Sequence, residues 1–539
     1  MTLFLFLLLA PQEGAVATSE PYATVATSSI FAEGGNAVDA AVAASFALAV
    51  TYPAAGNLGG GGFFLYRTPQ GEAHFLDFRE TAPAASHPDL YLDTSGKVNK
   101  SASRLGWRAV GIPGSVTGMA EAHRRWGRLP WKEVLAPAIW LAEDGYVLTK
   151  KSSQSLAWAA KYFAKDPMAS SVFLDTHGTS WPAGHRLKQP ELAATLRLIA
   201  EKGGDAFRRG PLVDGILKAS RAGGGILTAE DFRDYRPEMR PVHHFHWQGL
   251  ELLTLSPPSS GGVFLEQTLT SLVHPKLTIL GPMAGWTVQY IGEATALAFQ
   301  DRNRWLGDPD GFDFAWTDLV AEDYLNHRRK FLSGDRFTPT SAPLNHPFLE
   351  SEETTHFSVM DPQGGAVSVT TTLNGAYGAK VMAPGGFLMN NEMDDFAAAP
   401  GTANQFGLVQ GKYNAVVAGR RPLSSMSPVI VVKEGRVDAV LGSPGGPTIL
   451  TTVMQVLLNR YLFTMNPKAA MAFPRFHRQD LPEVLHFEPG RLNDFSRAYL
   501  KRVGQPMKRR SSLGDVNAIF WWEGEWRAFT DPRHEGLGL

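Results

Sequence analysis

Apolar and polar positions along this chain change period several times, and each change marks an element. From Ala37 to Val50 nearly every position is apolar, with Val38, Val42, Phe46 and Ala49 at helical spacing. Asp39 is the one charge there, so a largely buried helix is predicted, capped by Asn36 and stopped by Pro53. Short apolar runs at Phe63–Arg67, His74–Phe78, Leu250–Thr254 and Val429–Lys433 predict strands. Helical spacing returns over residues 116–126, 132–147, 190–203, 284–305 and 448–460. Residues 333–353 and 397–420 have no period, and the second is a candidate mobile loop over a site.

The clearest alternation runs from Thr354 to Met360, turns through Asp361-Pro362-Gln363-Gly364-Gly365, and returns from Ala366 to Asn374. Pro and Gly between two alternating runs predict a hairpin. If the loop is symmetric about Gln363, Thr354 lies opposite Thr372. One face then carries Thr354, His356, Ser358, Ser368, Thr370, Thr372 and Asn374. The other carries Phe357, Val359, Val367, Val369 and Leu373. Two readings stay open at this point. The hairpin is half exposed and its threonines are there for β-propensity, or its hydroxyls, about 5 Å apart at Cβ, form a reactive cluster.

Composition narrows the choice. The 539 residues carry 51 Lys and Arg against 52 Asp and Glu, a net charge of −1, which disfavours a nucleic-acid partner. There is no cysteine, so disulfides, thiolate nucleophiles and cysteine metal sites are excluded. Leu3 to Ala10 is apolar and small residues follow it, which reads as the remnant of a secretory leader over residues 1–17. That implies a periplasmic or secreted protein, or a cytoplasmic one if the stretch is no signal. No run is long and apolar enough for an integral membrane segment.

Several polar clusters flank the hairpin. Gly59 to Gly62 precede a strand rather than a helix and lack a following Gly-Lys-Ser/Thr, so they read as close packing beside a site rather than a phosphate loop. Arg79 ends a strand, placed either to enter a site or to pair at the surface with Asp77 or Glu80. Asn390-Asn391-Glu392-Met393-Asp394-Asp395 gathers amides and carboxylates, suited to an ammonium group or a metal. Ser443-Pro444-Gly445-Gly446 opens a helix, and adjacent glycine amides there form an anion or oxyanion site.

In their order and number, these motifs resemble the gamma-glutamyltransferase family of N-terminal-nucleophile hydrolases. The resemblance spans residues 20 to 533. It rests on Gly34-Gly35-Asn36-Ala37-Val38-Asp39-Ala40, Gly56-Asn57-Leu58-Gly59-Gly60-Gly61-Gly62, Asp77-Phe78-Arg79-Glu80, Pro257-Pro258-Ser259-Ser260-Gly261-Gly262, Thr354-Thr355-His356, Asn390 to Phe396, Pro422-Leu423-Ser424-Ser425-Met426-Ser427-Pro428, Gly442 to Gly446 and Asp531-Pro532-Arg533. It implies an α+β fold, a four-layer αββα sandwich, and a precursor that cuts its own Glu353–Thr354 bond. A large subunit (residues 18–353) and a small one (residues 354–539) would then interleave as a heterodimer. Thr354 would be the nucleophile, with its freed α-amine as base, a group of pKa about 8. Thr372 would bond Thr354, and Gly445 and Gly446 would form the oxyanion hole. Arg79, Ser424 and Ser425 would hold the substrate α-carboxylate, and Asn374, Glu392 and Asp395 the α-ammonium.

The implied substrates are glutathione and related γ-glutamyl compounds, with water or an amino acid or peptide as acceptor, and no cofactor or metal. Phe406 stands near where the family's lid carries an aromatic hydroxyl, and Lys380 where small residues are usual. The alternatives are a related amide acylase of the glutaryl or cephalosporin type, a non-catalytic binding protein of the same fold, or a nucleotide enzyme built on Gly59–Gly62. The first would not need two acids, the second predicts loss of Thr354 or the paired glycines, and the third lacks a matching Lys.

Overall fold

The computed structural model describes residues 14–310, 314–339, 354–399 and 401–539. Its main strands are β1 (Ala15–Thr18), β2 (Gly61–Arg67), β3 (Ala73–Asp77), β4 (Glu238–Arg240), β5 (Val242–Trp247), β6 (Leu250–Leu255), β7 (Thr354–Met360), β8 (Ala366–Thr372), β9 (Val429–Lys433), β10 (Arg436–Gly442), β11 (Asn517–Trp522), β12 (Glu525–Thr530) and β13 (Leu537–Gly538). They form a seven-stranded sheet ordered β13-β1-β7-β8-β2-β3-β4 and a six-stranded sheet ordered β12-β11-β10-β9-β6-β5. Helices α1 (Pro21–Ala32), α2 (Ala37–Thr51), α3 (Trp131–Asp144) and α4 (Pro190–Lys202) share an apolar core with the outer face of the first sheet. Helices α5 (Gly261–Ser271), α6 (Gly285–Trp305) and α7 (Thr448–Leu457) share another with the second. The architecture is the α+β four-layer αββα sandwich.

Local chemistry explains the elements closest to the site. All of α2 is buried, and Asn36 caps it by accepting from the Val38 and Asp39 amides. The glycines before and at the start of β2 let it lie against β8: a Cβ on Gly60 would sit 2.1 Å from the Thr372 carbonyl oxygen, and one on Gly62 2.3 Å from that of Thr370. The predicted helix over 132–147 stops at Asp144. Gly145 takes φ 82° there, and Tyr146–Val147 pairs instead with Arg186–Leu187.

The hairpin register is as predicted, with Thr354 opposite Thr372 and Ser358 opposite Ser368. The half-exposed reading is not, because every residue of β7 and β8 is buried. The apolar face packs on the helices. The polar face lies between the sheets and bonds the second sheet's backbone. Ser358 Oγ donates towards the Val440 and Asn517 carbonyls at 3.2 and 3.0 Å, and Ser368 Oγ to Leu441 at 3.3 Å. A buried hydroxyl needs such a partner, so these side chains tie sheet to sheet.

Two boundaries are corrected or left open. Residues 15–17 do not belong to a leader-like tail: Ala15–Thr18 is a buried strand between β7 and β13. Glu353, on the far side of the expected scissile bond, lies outside the described residues. Both sheets contain strands from before and from after that bond.

Candidate active site

The edge of the hairpin sets the site. Register alone brings the two threonine hydroxyls together, Thr354 Oγ to Thr372 Oγ at 3.4 Å. This is longer than the usual hydroxyl contact of about 2.8 Å. Thr372 Oγ also accepts the Asn374 amide at 2.8 Å. Asn374 takes φ 74°, and its side-chain amide donates to the Asn391 carbonyl at 2.9 Å. His356, beside the threonines, is no base for them. It is fully buried between Thr370 Oγ and Ser358 Oγ, and burial pushes its pKa down to about 3.

Across the cavity, β10 ends at Gly442 and the chain turns through Ser443-Pro444-Gly445-Gly446 into α7. Gly445 and Gly446 take φ 127° and 55°, conformations that favour glycine. Their carbonyls accept the Thr448 and Ile449 amides, both at 3.1 Å, and their own N–H groups, separately, have no protein acceptor among the described residues. Gly446 lines the cavity with Thr354, and Gly445 stands one residue behind it.

Charge occupies the remaining wall. Arg79 follows β3 and is 1% exposed, which rules out a surface role. Its guanidinium contacts Glu392, donates to Asp395 at 2.7 Å and to the Pro422 carbonyl at 3.2 Å. Asp77 is taken by Arg240 at 2.7 Å instead. Burial works against the Arg79 charge, but Glu392, Asp395 and Glu80 outweigh it. Burial also pushes all three carboxyls up, Glu80 to about 8, with Arg79 pulling the other way. With its pKa near 8, Glu80 holds its proton at neutral pH. Neither Glu80 oxygen has a hydrogen-bond partner among the described residues.

Thr354, Thr372, Asn374, Arg79, Glu392, Asp395, Ser424, Ser425 and Gly446 all line one cavity of about 20 Å³, room for about one water. Sequence reasoning missed Arg302, which completes the wall from the end of α6, and the apolar cover of Leu408, Met426 and Ile449. The charged run Asp301-Arg302-Asn303-Arg304 at a helix end was the available signal. Residues 397–420 do reach over the site through Phe406 and Leu408. Phe406 needs no hydroxyl to close it, because its ring lies about 3.1 Å from where a Gly446 Cβ would stand. Lys380 is half-buried and donates to the Gly378 carbonyl at 2.6 Å.

Two stacked sheets between helix layers, with a threonine at the head of a central strand facing paired glycine amides, define an N-terminal-nucleophile hydrolase. The family match covers residues 23–539, and the chain belongs to the gamma-glutamyltranspeptidase family. It is 41% identical over 516 residues to the glutathione hydrolase proenzyme of Pseudomonas sp. strain A14, covering 94% of this chain and 89% of that protein. In structure it is similar to a cephalosporin acylase from Bacillus halodurans, with TM-score 0.86 and 26% identity over 98% of this chain and 96% of that one. It is also similar to Helicobacter pylori gamma-glutamyltranspeptidase, with TM-score 0.58 and 35% identity over 60% of this chain and 92% of that one.

Proposed function

We propose that this protein is a self-processing γ-glutamyltransferase that cleaves glutathione and related γ-glutamyl amides. The observation that carries the reading is a single cavity holding the Thr354–Thr372 pair, the Gly446 amide and the Arg79–Glu392–Asp395 cluster. Cutting the Glu353–Thr354 bond would give a large subunit ending at Glu353 and a small one beginning at Thr354. The new α-amine takes the Thr354 hydroxyl proton as Oγ bonds the γ-carbonyl carbon. Negative charge on the carbonyl oxygen falls to the Gly445 and Gly446 amides. The amide C–N bond then breaks, and the proton goes to the leaving amine. Water releases glutamate from the ester on Thr354, and an amino acid or peptide amine takes the γ-glutamyl group instead.

A zwitterionic head group explains why cations and acids meet on one wall. Arg79, Ser424 and Ser425 face its carboxylate, and Asn374, Glu392 and Asp395 its ammonium. The cavity is smaller than that head group, so entry requires the Phe406–Leu408 cover to move. The acylase neighbour is the second reading. It is disfavoured because an acyl group without an ammonium offers Glu392 and Asp395 no cation beyond Arg79, which they already hold. The apolar Leu3–Ala10 stretch supports export to the periplasm or medium.

A denaturing gel with N-terminal sequencing tests the processing step. Two bands are expected, the smaller beginning Thr-Thr-His. Turnover should follow with γ-glutamyl-p-nitroanilide and not with glutaryl-p-nitroanilide; the reverse preference would establish the acylase reading.

A further inference from the structure

The two buried arginines of the cavity are in opposite circumstances. Arg79 is engaged by Glu392 and Asp395. Arg302, 2% exposed, has no carboxylate within ion-pair distance among the described residues. Its three hydrogen bonds go to neutral oxygens: Nε to Ser260 Oγ at 3.1 Å, Nη1 to Asn303 Oδ1 at 2.9 Å and Nη2 to Ser425 Oγ at 3.1 Å. Asp395 and Asp480 act on its charge only from beyond contact distance, and burial outweighs them, so a buried cation without a direct ion pair is left facing the cavity. Burial pushes its pKa down to about 10, so it keeps its charge at neutral pH.

Its bonds also fix both serines. A hydroxyl has one proton and two lone pairs. Arg302 occupies a lone pair of Ser425 Oγ, and the Ser425 proton has no acceptor among the described residues, so it is free for the cavity. Ser260, held by Arg302, donates in turn to the Ser424 carbonyl at 2.7 Å. Charge points the same way. With Glu392 and Asp395 ionised against Arg79 alone, the head-group wall is net negative and suits a bare ammonium. Arg302 balances it for a zwitterion.

We propose that Arg302 is the positioning residue that makes the enzyme require a substrate α-carboxylate, by presenting the Ser425 hydroxyl as a donor and supplying the balancing charge. The proposal rests on the γ-glutamyl reading above and names a residue that reading does not need.

The test compares γ-glutamyl-p-nitroanilide with 4-aminobutanoyl-p-nitroanilide, which keeps the ammonium and lacks the carboxylate, on mature enzyme. Arg302→Gln should raise KM for the γ-glutamyl substrate roughly 10- to 100-fold with kcat changed less than about 3-fold. Preference for the γ-glutamyl over the aminobutanoyl substrate should fall by at least about 10-fold, and Arg302→Lys should restore part of it. Ser425→Ala should shift preference in the same direction, and the Arg302→Gln, Ser425→Ala double variant should fall short of the product of the two effects. If Arg302→Gln does not mature, Arg302→Lys and Ser425→Ala carry the same comparison. An equal loss on both substrates, or additive effects of the two changes, would overturn the proposal. Wild-type enzyme inactive on the γ-glutamyl substrate would instead refute the reading on which it rests.

Discussion

The two walls of the cavity are built on different principles. The hairpin wall is neutral and held by backbone register. Its hydroxyls and His356 bond one another and the second sheet's carbonyls. The head-group wall is charged and assembled from four separated segments, around residues 79, 302, 392–395 and 424–425, with Glu80 next to Arg79 but outside the lining. It keeps carboxyl oxygens of Glu80 and Glu392 without partners among the described residues. Geometry is fixed at the threonine pair, and opposite charges are gathered on the wall proposed to recognise a zwitterion. Changes to the first wall should therefore act on rate in steps, and changes to the second should act on binding and stability by degrees.

The largest effect tests the first wall. Thr354→Ala removes the proposed nucleophile and processing hydroxyl together. A single uncut chain is expected on a gel, with activity down by at least about 10⁴-fold. Thr354→Ser keeps a hydroxyl and should still mature, more slowly. Gly445→Ala comes next. The added Cβ would lie 2.4 Å from Thr448 Oγ, at φ 127°. The turn must shift, and loss of one aligned oxyanion donor should lower kcat about 10²- to 10³-fold with KM little changed.

The same division decides what was legible in the sequence. Period-two alternation and the symmetric loop gave Thr354 opposite Thr372, because hairpin register is a local property. The glycine pair before α7 was equally readable. Burial of the hairpin's polar face was not, since only β10 and β11 provide the carbonyls that satisfy Ser358 and Ser368. Resemblance supplied Arg79, Glu392 and Asp395 as binding residues but not their mutual pairing. Arg302 escaped notice because its partners Ser260 and Ser425 are 42 and 123 positions away, and no local pattern carries such a contact.

The second wall should respond more gradually. Arg79→Gln strips Glu392 and Asp395 of their shared cation. Breaking a buried pair costs roughly 3–5 kcal/mol, and here protonation of the carboxyls recovers part of it. A lower apparent Tm and a raised KM for γ-glutamyl-p-nitroanilide are expected, a combination that Gly445→Ala should not produce. The walls also titrate in opposite senses. His356 has its pKa pushed from 6.5 down to about 3, so its contribution is complete above pH 6.5 and is lost as pH falls towards 3. Glu80 is pushed from 4.5 up to about 8, so the folded protein holds a proton that the unfolded chain releases. Its contribution is best below pH 4.5 and is lost as pH rises to 8. Glu80→Gln should therefore raise the apparent Tm near pH 8 and leave it unchanged near pH 4.5. A gain of at most about 3 kcal/mol follows at neutral pH. Equal shifts at both pH values would mean that Glu80 does not carry the proton.

The smallest effect concerns the cover that joins the walls. Phe406 is 4% exposed and lies over Gly446. Its turn is held from below, since Asn404 Oδ1 accepts the Phe406 and Leu408 amides at 3.0 and 3.1 Å. The Gln405 amide donates to Asp394 at 2.9 Å. Closure thus depends on backbone bonds and an apolar contact. Phe406→Tyr adds a hydroxyl to a cover already in place, and kcat/KM for γ-glutamyl-p-nitroanilide should change by less than about 3-fold. Asn404→Ala, at a residue outside the cavity lining, removes the acceptor of two amides and should cost about 1–2 kcal/mol of stability, with a larger fall in kcat/KM than Phe406→Tyr. A reversed order, with the tyrosine substitution the stronger of the two, would mean that the side chain at position 406 rather than the turn beneath it governs closure.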